Sequence, residues 1–141
     1  MSNVNYEKLE LTLARLQEKY ANYQDMDARP ELRESDKDSI RESLIQRYAA
    51  CFDTLSRHIR KNLAEHQLLV HVPDSPKPLF RLAHETGLID KEILERLFDY
   101  ARTRVHIGHD YSMENTEDAL SKIDGFIQDA SEIYQTMIAW E

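Results

Sequence analysis

The chain has 141 residues, 31% charged and 41% apolar, so it is long enough for one packed domain and too apolar for wholesale disorder. Its formal charge of −8 disfavours a protein that binds a phosphate backbone through overall positive charge, but leaves room for a local basic patch. The single cysteine, Cys51, excludes an internal disulfide and any zinc site built from several cysteines. With no signal-peptide pattern at the start and no window apolar enough to span a bilayer, we expect a reduced, cytoplasmic protein.

Three glycines and four prolines are too few for a sandwich or barrel, which needs frequent turns, and this scarcity favours long helices. Apolar residues spaced three and four apart predict a first helix over residues 5–24, which ends before Pro30. A second, longer helix is predicted to start at a Ser35 cap and to carry a broad apolar stripe from Ile40 to Leu63.

Proline, glycine and helix-capping residues mark the ends of the predicted helices in the second half of the chain. Residues 70–78 contain three prolines and must be a connection. Ser75 followed by Pro76 is a typical helix entry, and Gly87 is expected to close the short helix that starts there. Asp90 is expected to cap the next helix.

That helix is expected to stop near Gly108, and the last helix to start at a cap formed by Ser112 or Asn115. The predicted fold is all-α: a single domain over residues 1–141, with four long helices and one short helix in an antiparallel up-and-down bundle.

The six histidines do not form a metal-binding pattern, because no helical ligand pair such as HExxH occurs. No metal or other cofactor is therefore predicted. His58 lies in sequence among Arg57, Arg60 and Lys61, which predicts a basic patch on the long helix. This patch is a candidate RNA contact, and a solvated face that balances nearby acids is the plainer interpretation.

Two arginines, two histidines and a tyrosine crowd one predicted helix end: Arg102, Arg104, His106, His109 and Tyr111. Basic side chains are common at helix C-termini, where the helix dipole is negative, so this cluster has a plain structural explanation. It also has a chemical one. An arginine that binds a phosphate beside a histidine that moves a proton suffices to cleave RNA without a metal ion.

Arg104 and His109 are five residues apart, which on a continuous helix turns them about 140° away from each other. Gly108 is able to adopt the left-handed conformation and end the helix just before His109. We therefore expect a break at Gly108 that lets His109 fold back toward Arg104.

The arrangement Arg104-x4-His109-x-Tyr111 resembles the R-x4-H-x-Y signature of HepT-like proteins, a branch of the HEPN (higher eukaryote and prokaryote nucleotide-binding) superfamily. Several further stretches are similar to the family of nucleotidyltransferase substrate-binding proteins, and together they extend the resemblance over roughly residues 1–139. These stretches are Ile45–Leu55, Ser75-Pro76, Phe80–Ala83, Gly87–Asp90, His109–Ser112, Phe126–Ala130 and Tyr134–Met137.

The resemblance implies a HEPN-like helical bundle, usually a homodimer, encoded beside a minimal nucleotidyltransferase. It implies that Arg104 and His109 are the catalytic residues of a metal-independent ribonuclease toxin, whose RNA target is tRNA or another RNA. It further implies that the partner, of the MntA type, silences the toxin by attaching AMP to Tyr111. The alternative that the family suggests is a non-catalytic subunit that presents substrate to the nucleotidyltransferase.

The chain departs from the family pattern directly after the motif arginine, where asparagine is common and this chain has Val105. Arg102 and His106, four residues apart, are candidates to support the site in its place, and an ordinary surface pair is the equal alternative. Three hypotheses thus follow from the sequence: a ribonuclease toxin, a binding subunit of a nucleotidyltransferase, and a structural bundle with a decorative Arg/His cluster.

Overall fold

The computed structural model describes residues 4–66, 71–109 and 113–141, with the backbone alone at residues 109, 113 and 114. Five α-helices and one short 3-10 helix account for most of these residues, and no β-strand occurs among them. The predicted all-α class, with four long helices and one short one, is confirmed. The helices are α1 (Glu7–Asp25), α2 (Glu34–His66), α3 (Pro76–Glu85), α4 (Lys91–His109) and α5 (Met113–Ala139), and the 3-10 helix is Met26–Ala28.

The long helices form two antiparallel pairs, as the short connection within each pair requires. α1 and α2 run antiparallel, because Asn62 near the end of α2 donates to the hydroxyl of Tyr6 at the start of α1, at 2.9 Å. α4 and α5 are also antiparallel, since Arg96 pairs with Asp129. The buried apolar residues form one cluster to which all five helices contribute.

Interlocking aromatic rings fill the centre of this cluster. Phe126 packs edge-to-face against Tyr48, with ring centroids 5.0 Å apart, and against Tyr100 at 5.3 Å. Phe52 is close to Tyr48 and Phe126 and also to Phe80 of α3. Edge-to-face pairs contribute about 0.5–1.5 kcal/mol each beyond their buried area, so this cluster ties α2, α3, α4 and α5 together.

Local chemistry sets both ends of α3 and the start of α4 at the predicted residues. Ser75 is extended and precedes Pro76, the first residue of α3, but the Ser75 side chain makes no capping hydrogen bond. Gly87 adopts a φ of +88°, and the N–H of Leu88 donates to the carbonyl of Ala83, which ends the helix in the predicted left-handed turn. The side chain of Asp90 accepts a hydrogen bond of 2.8 Å from the N–H of Ile93 and so caps α4.

The predicted cap at Ser35 is wrong. Of the two alternative caps predicted for the last helix, only Asn115 is excluded. α2 begins at Glu34 rather than after Ser35, and the side chain of Asp36 accepts from the N–H of Arg33 at 2.8 Å. A carboxylate placed one turn into the helix satisfies this donor, so Ser35 becomes an ordinary helical residue. Asn115 lies inside α5, which begins at Met113, and the alternative cap Ser112 is outside the described residues.

None of the described helices combines the length and the apolar character needed to cross a membrane. Cys51 is a free thiol in the core, and burial raises its pKa to about 11.

Candidate functional site

The most informative side chain of the predicted cluster is Arg104, in the C-terminal half of α4. Its Nε donates to Oδ1 of Asp53 at 3.2 Å, and its Nη2 donates to Oδ2 at 3.0 Å. This is a two-point contact between α4 and the middle of α2, across 51 positions of sequence. The sequence prediction missed Asp53. The sequence feature that could have indicated Asp53 is an acidic residue one helical turn before Arg57, on the same face of α2 as the basic residues.

The Arg104–Asp53 pair lies at the protein surface between two hollows. Asp53, Arg104 and Gly108 line both of them. The hollow on the α3 side, of about 260 Å³, is also lined by Pro76 and Val105. The hollow on the other side has a volume of about 330 Å³ and continues along α2. An arginine is therefore held where a phosphate group can reach it from solvent, with 32% of its side chain exposed.

α4 is anchored strongly just before this site, which fixes the position of Arg104. The hydroxyl of Tyr48 donates to the carbonyl of Tyr100 at 2.7 Å inside the core. The hydroxyl of Tyr100 donates in turn to the buried carboxylate of Asp129 on α5, also at 2.7 Å. Because Tyr100 is one turn before Arg104, both contacts set the height and rotation of the helix at the site.

The predicted break at Gly108 is wrong. α4 continues through Gly108 to His109, and Gly87 is the glycine with a positive φ. Intrahelical hydrogen bonding outweighs the conformational freedom of a single glycine here. A helix break at Gly108 therefore cannot be the reason for His109 to fold back toward Arg104. The side chain of His109 and the whole of Tyr111 lie outside the described part of the chain.

We expect Gly108→Ala to stabilise the protein by about 0.5–1 kcal/mol, because alanine is the better helix former and loses less backbone entropy on folding. A Cβ at this position would meet Nη1 of Arg104 at 3.5 Å, which is an ordinary contact. Urea unfolding of both proteins measures the difference. A loss of more than about 1 kcal/mol would instead support a special backbone conformation at Gly108.

The structure does not bring Arg102 and His106 to Arg104. Both side chains are exposed, and residues two apart on a helix point about 160° away from each other. Arg102 instead approaches Asp99 at 3.8 Å. Val105, at the position where the family commonly has asparagine, is 54% exposed and lines the α3-side hollow.

In the predicted basic patch on α2, the two arginines and the lysine are exposed side chains. Arg57, Arg60 and Lys61 follow Asp53 along the outer stripe of α2, and Arg60 pairs with Asp74 at 2.7 Å. Arg57 is one turn from Asp53, about 6 Å along the helix axis, so the stripe starts beside the Arg104 site. Whether these residues contact RNA stays a prediction.

His58 does not belong to the patch and is corrected to a core residue. It is 3% exposed, and its ring nitrogens lie 2.8 Å from the carbonyl of Thr54 and 3.1 Å from that of Asn5. Sequence adjacency to basic residues was misleading because successive helical residues point about 100° apart.

The acidic total of the chain is unevenly distributed. α5 has six carboxylates and one lysine, whereas α3 and α4 together have six basic and four acidic residues. The two helices therefore have a net positive charge in an acidic protein, and α4 carries the site. In the part of the chain that the structure describes, no group of three or more histidine, cysteine or acidic side chains could hold a metal ion.

Comparison with known proteins gives one family and several similar folds. The family model described as nucleotidyltransferase substrate binding protein like matches residues 4–139. No curated protein sequence matches this chain. The fold is similar to that of a tri-AMPylated HEPN toxin from Shewanella oneidensis, solved in complex with MNT antitoxin, with a TM-score of 0.70 at 16% identity over 96% of this chain and 99% of that one.

Two further crystal structures are similar. One is a toxin–antitoxin structure with AMP-PNP, with a TM-score of 0.69 and 15% identity over 92% of each chain. The other is a protein from Thermus thermophilus, with a TM-score of 0.67 and 18% identity over 86% of this chain and 98% of that one. At these identities the likeness concerns the fold.

Proposed function

This chain belongs to the family of nucleotidyltransferase substrate binding protein like chains, and from that premise we propose that it is the HepT-like toxin of a toxin–antitoxin pair. In this proposal it is a metal-independent ribonuclease of the cytoplasm that a partner nucleotidyltransferase neutralises. The observation that carries the proposal is Arg104, held by Asp53 at an open surface five residues before His109.

The proposed reaction uses the 2′-hydroxyl of the RNA itself. The 2′-oxygen forms a bond to the adjacent phosphorus, and the bond from phosphorus to the 5′-oxygen breaks, which leaves a cyclic phosphate and a 5′-hydroxyl. One proton leaves the 2′-hydroxyl and one reaches the 5′-oxygen. His109 performs one of these two transfers, and water performs the other.

Arg104 supplies the second half of the proposed chemistry. Negative charge on the phosphate oxygens rises as the 2′-oxygen attacks, and a guanidinium placed beside them stabilises that charge. The net positive charge of α3 and α4 and the exposed basic residues of α2 favour the approach of RNA. Arg57, Arg60 and Lys61 extend this surface beyond the hollows.

The proposed partner is a minimal nucleotidyltransferase of the MntA type, encoded nearby. The similar Shewanella toxin is AMPylated and bound to its antitoxin, which supports transfer of AMP to this chain as well. The residue proposed to accept AMP is Tyr111 of the motif. We further propose a homodimer, in which exposed Val105 and the two hollows beside Arg104 face a second copy and bring two motifs into one cleft.

Purified protein incubated with tRNA in EDTA tests the nuclease directly. We expect cleavage by the wild-type protein and loss of cleavage in His109→Ala, because a general acid or base contributes about 10²–10⁴-fold. EDTA keeps contaminating metal-dependent nucleases inactive. Intact RNA in both samples would remove the nuclease from the proposal.

A second candidate is the non-catalytic subunit that presents substrate to the nucleotidyltransferase. The exposed Val105 favours it, because a polar group that would orient phosphate or His109 is missing there. Co-expression with the neighbouring nucleotidyltransferase separates the two candidates. An added AMP mass that disappears in Tyr111→Phe supports the toxin, whereas a stable complex without added mass and without RNA cleavage supports the binding subunit.

A further inference from the structure

Asp53 holds one edge of the Arg104 guanidinium, and we infer that Asp53 is a positioning residue for the proposed cleavage of RNA. This inference rests on the proposed function and concerns the same site. Asp53 does not contact the RNA in this view. It sets the direction in which Arg104 meets the phosphate.

The geometry of the contact leaves little freedom to the guanidinium. Nε and Nη2 of Arg104 are 3.2 and 3.0 Å from the two carboxylate oxygens of Asp53. Because the guanidinium is planar and rigid, two contacts on one edge fix its plane and the direction of Nη1. Nη1 lies over Gly108, 3.5 Å from where a Cβ would be, and Gly108 immediately precedes His109.

Asp53 is well placed to hold this direction because its own backbone is rigid. It lies mid-way along α2, between the buried residues Phe52 and Thr54. Residues that support a site from a helix interior hold their partners more accurately than residues in loops.

The contact is poorly suited to a role in stability. The side chains of Arg104 and Asp53 are 32% and 45% exposed, and exposed ion pairs add little to folding. The contact is also expected to weaken RNA binding, because the Asp53 carboxylate beside the site repels phosphate. The contact adds little to the stability of the fold and weakens the affinity for RNA. We therefore explain it by its effect on the orientation of the Arg104 guanidinium, which determines the rate of the chemical step.

Steady-state cleavage of an RNA oligonucleotide in EDTA tests the inference through the separate effects on kcat and KM. We expect Asp53→Ala to lower kcat by about 10–100-fold, because an arginine released from its carboxylate samples unproductive orientations. We expect KM to stay unchanged or to fall by up to about 3-fold, since a repulsive charge is removed. Asp53→Asn keeps one oxygen acceptor and should lie between Asp53→Ala and the wild-type protein.

Asp74→Asn is the matched control. Asp74 pairs with Arg60 on α2, so this variant removes one negative charge without touching Arg104. We expect its kcat to equal that of the wild-type protein. An equal loss in both variants, or an unchanged or raised kcat in Asp53→Ala, would overturn the positioning role.

A readout without cleavage separates this inference from the nuclease itself. In the wild-type protein the Nε–H proton of Arg104, observed by NMR, should exchange slowly with water because Asp53 accepts it. We expect fast exchange in Asp53→Ala and slow exchange in Asp74→Asn. An inactive wild-type protein with a protected Arg104 proton contradicts the proposed function alone, whereas an unprotected proton contradicts the positioning of Arg104 by Asp53.

Discussion

Replacing Arg104 should reduce RNA cleavage by about 10²–10³-fold in Arg104→Ala, the usual cost of removing one donor that stabilises transition-state charge. Arg104→Lys should retain the charge and still lose about 10–100-fold, because an ammonium cannot make a two-point contact with Asp53 and with phosphate. Single-turnover cleavage of an RNA oligonucleotide in EDTA measures both values. The graded order of the three proteins is the informative result.

The same variants should fold almost normally. Asp53 is 45% exposed and regains water when its partner is removed, so we expect the free energy of unfolding to change by less than about 1 kcal/mol. Arg15→Ala, an exposed arginine on α1, is the matched control for loss of one positive charge and should keep full activity. Equal activity in Arg104→Lys and the wild-type protein would show that charge alone suffices at this position.

Replacing Asp129 should have the opposite profile, with a large loss of stability. Its carboxylate is 5% exposed and accepts three hydrogen bonds, two from Arg96 at 2.8 and 2.9 Å and one from Tyr100 at 2.7 Å. Burial, and then the hydrogen bond to Asp129, raises the pKa of Tyr100 above its ordinary value. Asp129→Ala leaves the hydroxyl of Tyr100 buried without this acceptor and removes the link between α4 and α5.

We expect Asp129→Ala to lower the free energy of unfolding by about 3 kcal/mol, because buried polar groups lose both a partner and their hydration. For a domain of this size, that loss corresponds to a Tm lower by roughly 10 °C. Asp129→Asn keeps an acceptor for Tyr100 and should lose about half as much. Thermal and urea unfolding followed by circular dichroism give both quantities.

Asp124→Ala is the control for this prediction. Asp124 is an exposed carboxylate on the same helix that accepts a hydrogen bond from Gln128, and its loss should change stability by less than about 0.5 kcal/mol. If Asp129→Ala were no less stable than Asp124→Ala, the network of Arg96, Tyr100 and Asp129 would not anchor α4, and the position of Arg104 would need another explanation.

The anchoring network and the candidate site are connected through α4. Tyr100 is held by Tyr48 and Asp129 one turn before Arg104, and Asp53 holds Arg104 itself. The first contacts are buried and contribute to folding, whereas the last is exposed and restricts one side chain. We therefore expect Asp129 variants to lose stability and Arg104 variants to lose RNA cleavage, although the two contacts are only one helical turn apart on α4.

The amino-acid sequence by itself determines the local features of this protein. The spacing of apolar residues and the scarcity of glycine and proline predict the helices, since a helical stripe repeats within a few residues. The helix ends at Pro76, Gly87 and Asp90 follow from the backbone chemistry of single residues. The predicted cap at Ser35 is wrong because Asp36, one position further on, competes for the same helix start.

Long-range contacts require the assembled bundle. His58 is buried against the carbonyl of Asn5, and Arg104 meets Asp53 across 51 positions, which no local pattern encodes. Gly108 remains helical because the hydrogen bonds of α4 outweigh the conformational freedom of one residue. Helix periodicity specifies which face of each helix is apolar, whereas the packing of whole helices specifies which polar groups come into contact. The contact between Arg104 and Asp53 is therefore decided only by the tertiary structure.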